Sequence, residues 1–144
     1  MIAVDTNLPV YAHRGDSPWH ASAIKALETA AKVPWALPWP CVHEFLSIVT
    51  HPRVFSPPTP LPDACKAVSS WLAAPTVRLL GEPPDYWASL ASLLESSRVV
   101  GPRVHDARIA ALCILHGVSE LWTADRDFSR FPALVTRNPL TPSP

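Results

Sequence analysis

Five short runs with strand character, none longer than four residues, alternate with longer stretches of helical periodicity. They are Ile2–Asp5, Trp35–Pro38, Val77–Leu80, Glu120–Thr123 and Leu134–Thr136. Short, mainly apolar runs of this kind suit strands covered on both faces, where no alternation of apolar and polar positions is needed. The segments between them are long enough for helical crossovers, so successive strands can lie parallel in one sheet. The spacing predicts an α/β fold with a central parallel sheet of about five short strands.

Periodicity and punctuation place the helices. Ser17–Lys32 carries one stripe of His20, Ile24, Leu27 and Ala31, with Ser17 as a cap and Pro18 at the first turn. Pro40–His51 and Pro62–Ala73 each start at a proline, and the second aligns Ala64, Val68, Trp71 and Leu72. Tyr86–Ser97 aligns Tyr86, Leu90, Leu93 and Leu94. Val104–His116 is apolar almost all round after its first turn, which predicts the central buried helix, with Gly117 closing it. Proline supplies most of the breaks: the chain has 18 prolines and 4 glycines. The densest stretch, His51–Asp63, reads as a surface loop within one domain, since proline cannot continue a helix or sit inside a sheet. Residues 1–137 are expected to form a single domain, and 138–144 an irregular proline-rich tail.

A chain of 144 residues fits one domain. Its 12 basic and 12 acidic residues cancel, which argues against coating nucleic acid by bulk charge but not against a nucleic-acid enzyme. The longest apolar run, Ile109–Leu115, falls far short of the roughly 18 residues of a membrane span. Met1–Val4 has no basic flank and meets Asp5 at once, so no signal peptide is expected and the protein is placed in the cytoplasm. Cys41, Cys65 and Cys113 form no closely spaced pair, and each is expected to be a small core residue in a reducing compartment.

The acids sit where a parallel sheet would use them. Asp5 closes the first strand, and Glu44 follows the second by about a helical turn. Asp106 opens the buried helix, Asp125 follows the fourth strand, and Asp127 lies two residues on. In such sheets ligands bind beyond the carboxyl ends of the strands. Each acid alone has a structural reading: Asp5 as a turn residue, Glu44 as a solvated helix position, Asp106 as a first-turn acid, Asp125 and Asp127 as caps. Separate caps, however, need not converge on one rim. Clustered carboxylates raise one another's pKa, and a hard dication relieves the repulsion. Oxygen ligands without a cysteine pair or histidine triad favour Mg²⁺ or Mn²⁺, and that chemistry suits phosphodiester hydrolysis.

The same residues carry a resemblance. Ile2-Ala-Val-Asp5-Thr-Asn7 with Tyr11-Ala-His13, Glu44-Phe45 leading to Thr50-His-Pro-Arg-Val-Phe55, Val104-His-Asp106-Ala-Arg-Ile-Ala-Ala111 with His116-Gly-Val118, and Leu121-Trp-Thr-Ala-Asp125-Arg-Asp127-Phe128 run in order over nearly the whole chain. In these blocks the chain resembles the PIN-domain ribonucleases, specifically the VapC-type toxins of type II toxin–antitoxin pairs. The resemblance implies a three-layer α/β/α domain and an Mg²⁺-dependent endoribonuclease, with Mn²⁺ able to substitute. It implies that Asp5, Glu44, Asp106 and Asp125 form the catalytic and metal-binding quartet, with Asp127 as a further candidate and Thr6, Asn7 and Thr123 in support. It further implies an RNA substrate cut in a single-stranded region, a homodimer, and a cognate antitoxin that silences the toxin. Pro9 stands where such proteins often carry a branched aliphatic residue.

Beside the acids, Arg103, Arg108, Arg126 and Arg130 are candidates for RNA phosphates, with Arg53 and Arg137 as others. Trp39 and Trp19 are the tryptophans placed nearest the rim for stacking on a base. The alternative is a catalytically silent domain of the same kind that binds RNA or an antitoxin. A phosphoacceptor receiver domain is disfavoured, because Asp5 has no adjacent acid and no lysine follows Lys66.

Overall fold

Five parallel strands form one sheet in a computed structural model that describes residues 1–142. They are β1 (Ile2–Val4), β2 (Trp35–Pro38), β3 (Val77–Leu80), β4 (Glu120–Trp122) and β5 (Thr136–Arg137), in the spatial order β3-β2-β1-β4-β5. Register sets Ile2 beside both Trp35 and Glu120, and Val4 beside Trp122. The chain walks outward from β1 through β2 to β3, then returns to the other side of β1 for β4 and β5. Right-handed crossovers in opposite directions put helices on both faces, which yields the three-layer architecture. Travel reverses between β1 and β4, so the loops leaving these strands diverge and open a crevice at the carboxyl edge.

The helices are α1 (Asn7–His13), α2 (His20–Ala30), α3 (Trp39–Val49), α4 (Leu61–Leu72), α5 (Tyr86–Ser97) and α6 (Val104–Leu115). Short 3₁₀ turns at Gly101–Arg103 and Arg126–Arg130 accompany them. Helix α6 buries Ala107, Ile109, Ala110, Ala111, Leu112 and Cys113, as its all-round apolar surface predicts. It stops at Leu115, and Gly117 takes φ 67°, the left-handed conformation that glycine adopts without a Cβ clash. Phe45 of α3 is fully buried, with the Trp71 ring edge-on at 4.5 Å and the His13 ring at 5.3 Å.

Four local expectations are corrected. The periodic reading placed no helix between β1 and α2, because seven residues are too short to display a helical period, although Pro9 reads as an early helical position. Pro9 fits within α1: it lies among the first helical positions, whose N–H groups have no partner four residues back within the helix, and Val10 makes the first bond of that span, to the Thr6 carbonyl, at 3.2 Å. Helix α2 begins at His20 rather than Ser17, since the Ser17 hydroxyl accepts the Trp19 amide at 3.1 Å and closes a separate turn. The last strand is Thr136–Arg137 rather than Leu134–Thr136. Leu134 instead closes a turn onto the Phe131 carbonyl at 2.9 Å and packs into the core.

The fourth correction concerns a cysteine. Cys41 and Cys113 are buried, but Cys65 is exposed on the outer face of α4. Burial, with the Asp5 charge behind it, pushes the Cys41 thiol well up and Cys113 up to about 12. Only the thiolate reacts with disulfide reagents. The native protein is therefore expected to titrate one thiol per chain, and three after denaturation; rapid reaction of two or more native thiols contradicts the packing of α3 and α6.

The proline-rich stretch runs between α3 and α4 as expected, and it is tied down. Arg14 donates to the Pro57 carbonyl at 3.0 Å and to Thr59 Oγ1 at 3.2 Å, and its guanidinium lies 4.3 Å from the Phe55 ring centroid. Asp16 holds that guanidinium from the other side at 2.7 Å. Of the segment 138–144, Leu140 is buried and its amide is capped by Asn138 Oδ1 at 3.0 Å, while Ser143 and Pro144 lie outside the described residues. No helix among the described residues is long and apolar enough to cross a membrane.

Candidate metal centre

The crevice between the β1 and β4 loops is a cavity of about 300 Å³ whose wall includes Asp5, Thr6, Asn7, Glu44, Asp106 and Asp125. All four acids singled out from the sequence thus meet in one place. Each arrives from a different element: Asp5 from the end of β1, Glu44 from α3, Asp106 from the first turn of α6, Asp125 from the loop after β4.

Asp5 is the most constrained. It is 5 % exposed, and its amide continues the β1–β4 ladder by bonding the Trp122 carbonyl at 3.0 Å. Its Oδ1 accepts the Thr6 amide at 2.7 Å and, more distantly, the Cys41 thiol at 3.7 Å. Its Oδ2 accepts the Thr123 hydroxyl at 2.7 Å and the Asn7 side-chain amide at 3.2 Å. Thr123 is also a hub, since its oxygen accepts from Asn7 at 3.3 Å and from the Asp125 amide at 3.0 Å. The Asn7 carbonyl oxygen completes the frame by accepting the Ala124 amide at 3.3 Å. The Thr6 hydroxyl, at 2.7 Å, holds Glu44 Oε2. The three polar residues expected in support therefore link the carboxylates to one another.

The remaining acids group around α6. Oxygens of Asp106, Asp125 and Asp127 lie within 4.8 Å of one another. Asp125 also caps the following 3₁₀ turn, its Oδ1 accepting the Asp127 amide at 2.8 Å, so the structural and the chemical readings of this residue both hold geometrically. Asp127 is balanced by Arg103 at 3.1 Å. Among the four arginines, Arg103 borders the acids, Arg108 faces a different cavity, and Arg126 and Arg130 are exposed on the second 3₁₀ turn.

The electrostatics are those of a site short of positive charge. Burial raises the Asp5 carboxyl to about 6 against the bonds from Thr123 and Thr6, and the nearby Glu44 and Asp125 charges push it the same way. Burial also raises Asp106, helped by Asp125, Glu44 and Asp127, while Arg103 opposes. The donor set facing the cavity is oxygen only. No histidine lines it, and the Cys41 thiol stays protonated, so the residues fit a hard dication and not a thiolate-seeking metal.

One side of the cavity is apolar, formed by Val10, Tyr11, Ile48, Val54 and Phe55. Sequence reasoning gave these residues no role. Tyr11 and Phe55 lay inside the blocks that carry the resemblance, which was the available signal.

Comparison with known proteins gives a consistent picture. The family model described as PIN domain matches residues 2–134. Ribonuclease VapC43 of Mycobacterium tuberculosis is 37 % identical over 142 residues, covering 97 % of this chain and 96 % of the relative. Ribonuclease VapC48 of the same species is 30 % identical, covering 95 % and 96 %. Among solved structures, VapBC2 from Rickettsia felis bound to a DNA fragment from its promoter superposes with a TM-score of 0.68 at 23 % identity, covering 96 % of this chain and 98 % of the other. Mycobacterium tuberculosis VapC20, described as a Sarcin-Ricin loop cleaving toxin, gives a TM-score of 0.70 at 17 % identity, covering 90 % and 93 %.

Proposed function

The chain belongs to the PIN-domain family, and from that premise we propose that it is a divalent-metal-dependent endoribonuclease, the toxin of a VapBC-type toxin–antitoxin pair. The observation that carries this reading is the convergence of Asp5, Glu44, Asp106 and Asp125 on one cavity, together with relatives over nearly the full chain that are named ribonucleases. A silent binding domain would have no need to keep a buried carboxylate, raised to about 6, among further acids.

In this reading Asp5, Asp106 and Asp125 would hold Mg²⁺ directly and Glu44 through a water, with Mn²⁺ as a substitute and Asp127 as a further ligand. When bound, the metal supplies a Lewis acid that polarises the phosphate and the attacking water. The chain's own residues do the rest. Thr6, Asn7 and Thr123 fix the carboxylate oxygens in advance, so little reorganisation is left to the reaction. Glu44, held by Thr6, takes the proton of a water that attacks phosphorus in line. The bond to the 3′ oxygen breaks, that oxygen takes a proton from bulk water, and the products are a 3′-hydroxyl and a 5′-phosphate. Arg103, with Arg126 and Arg130 on the exposed 3₁₀ turn, would neutralise neighbouring phosphates of a single-stranded region. A cytoplasmic homodimer restrained by a cognate antitoxin, with residues 1–137 as its one domain, completes the proposal.

The expected result is cleavage of single-stranded RNA in Mg²⁺ or Mn²⁺ that stops on chelation and leaves 5′-phosphate ends by end-labelling. Undiminished cleavage in excess EDTA, or cyclic-phosphate products, contradicts it.

A further inference from the structure

A second cavity, of about 310 Å³, opens on the same carboxyl edge of the sheet but beside β3 instead of β4. Trp39, the first residue of α3, is 38 % exposed and forms one wall. Its indole lies nearly parallel to the His43 imidazole one turn on, with centroids 6.0 Å apart and planes 28° apart. Leu80 and Leu112 supply an apolar floor, and Glu82 and Arg108 supply charge of both signs. The turn after β3 is pinned, because the His116 ring bonds the Gly81 carbonyl at 2.9 Å.

The polar groups here are not consumed by the fold. Arg108 makes no ion pair among the described residues, and its Nε is buried with no partner. The Tyr86 hydroxyl is likewise buried with no partner. After burial itself, the charges of Glu82 and Arg108 are what shift the Tyr86 phenol, so both lie close to it. The cavity and the acidic crevice draw on the same two helices, α3 and α6. His43 and Glu44 are consecutive, with Cα atoms about 3.8 Å apart, and Arg108 follows Asp106 by two residues.

We propose that this cavity is a nucleobase subsite, seating one base of the RNA strand next to the bond cut at the acidic crevice, with guanine preferred. The proposal rests on the ribonuclease reading given above. A flat aromatic wall over an apolar floor accepts the face of any base. The edge groups then discriminate. Glu82 only accepts hydrogen bonds and Arg108 only donates them. Guanine alone among the four bases offers two adjacent donors, N1–H and the N2 amine, together with the acceptor pair O6 and N7. Uracil has no amine to give a carboxylate. Placement on the same carboxyl edge of the sheet, on the very helices that carry Glu44 and Asp106, favours a base of the substrate over a side chain of a protein partner.

The test uses short single-stranded RNAs that differ at single positions on either side of the mapped cut. Trp39→Ala is expected to raise KM roughly 5–100-fold, the range of one lost base–aromatic stack, with kcat falling far less. Trp39→Phe recovers most of this. Glu82→Gln is expected to erase a guanine preference of roughly tenfold or more. Guanosine 5′-monophosphate added to the metal-free protein is expected to shift the Trp39 indole NMR signal, more than uridine 5′-monophosphate does. An unshifted indole with unchanged KM and base ranking in both variants overturns the subsite while cleavage still supports the nuclease. A guanosine-specific indole shift in a protein that cuts no RNA keeps the subsite and overturns the nuclease reading. Unchanged KM in Trp39→Ala combined with escape from inhibition by the co-expressed antitoxin overturns the proposal and gives the cavity to the protein partner.

Discussion

Replacing Asp106 by Asn is expected to lower Mg²⁺-dependent RNA cleavage by at least ~100-fold, more than the loss typical of a residue that only supports a ligand, while the thermal midpoint stays the same or rises. The two halves of this result follow from one feature. The Asp106 carboxylate makes no side-chain hydrogen bond among the described residues, so the fold does not depend on it. What it does is place charge beside Asp125, Glu44 and Asp127, which together with burial raise its pKa. The amide keeps the shape and removes the charge, so repulsion falls and affinity for a dication falls with it. Asp5→Asn is expected to abolish cleavage as well, but at a cost in stability, because an amide has one acceptor oxygen where Asp5 uses two. Single-turnover rates and melting curves for both variants check this. Cleavage within tenfold of the parent in both contradicts the assignment of the site.

The second large effect is a pH dependence of the metal-free protein. Asp5 holds its proton more tightly folded, at about 6, than its ordinary value of 3.8. Between those values the folded state binds more protons than the unfolded one, so stability falls as pH rises. The group's favourable contribution is present below about pH 4 and is lost as pH climbs through 6. The full swing is about 3 kcal/mol, taking roughly 1.4 kcal/mol for each pK unit. The informative measurement is the difference between the parent and Asp5→Asn, in which everything common to the two proteins cancels. Its constant offset reports the lost hydrogen bonds, and its slope reports the titration. The Asn variant is expected to gain on the parent from pH 4 to 7, and Mg²⁺ is expected to stabilise the parent at pH 7.5 far more than at pH 5. Parallel melting curves across that range contradict a carboxyl whose pKa burial raises.

Much of the architecture was legible because it rests on local signals. Strands β2 and β3 fall on the expected residues, and Gly117 closes α6, since apolar runs and a left-handed glycine need no knowledge of neighbours. Short elements were less legible. Helix α1 and strand β5 are seven and two residues long, and both exist because neighbours supply their partners. The exposed Cys65 shows the same limit from the other side. Its apolar neighbours in sequence suggested the core, but the helical period turns it outward from α4.

By itself the sequence determined which side chains could carry chemistry: acids set at strand ends and at a helix start, in an order that resembles one family. Only the tertiary structure decided how they are used. It joined Thr6 to Glu44 and Thr123 to Asp5, paired Arg103 with Asp127, and turned Arg108 away from the acids to face Trp39 and Glu82. The physical reason is range. Strand and helix preferences act over a few residues and are written in the chain, whereas Asp5 and Thr123, separated by 118 positions, meet only after β1 and β4 pair.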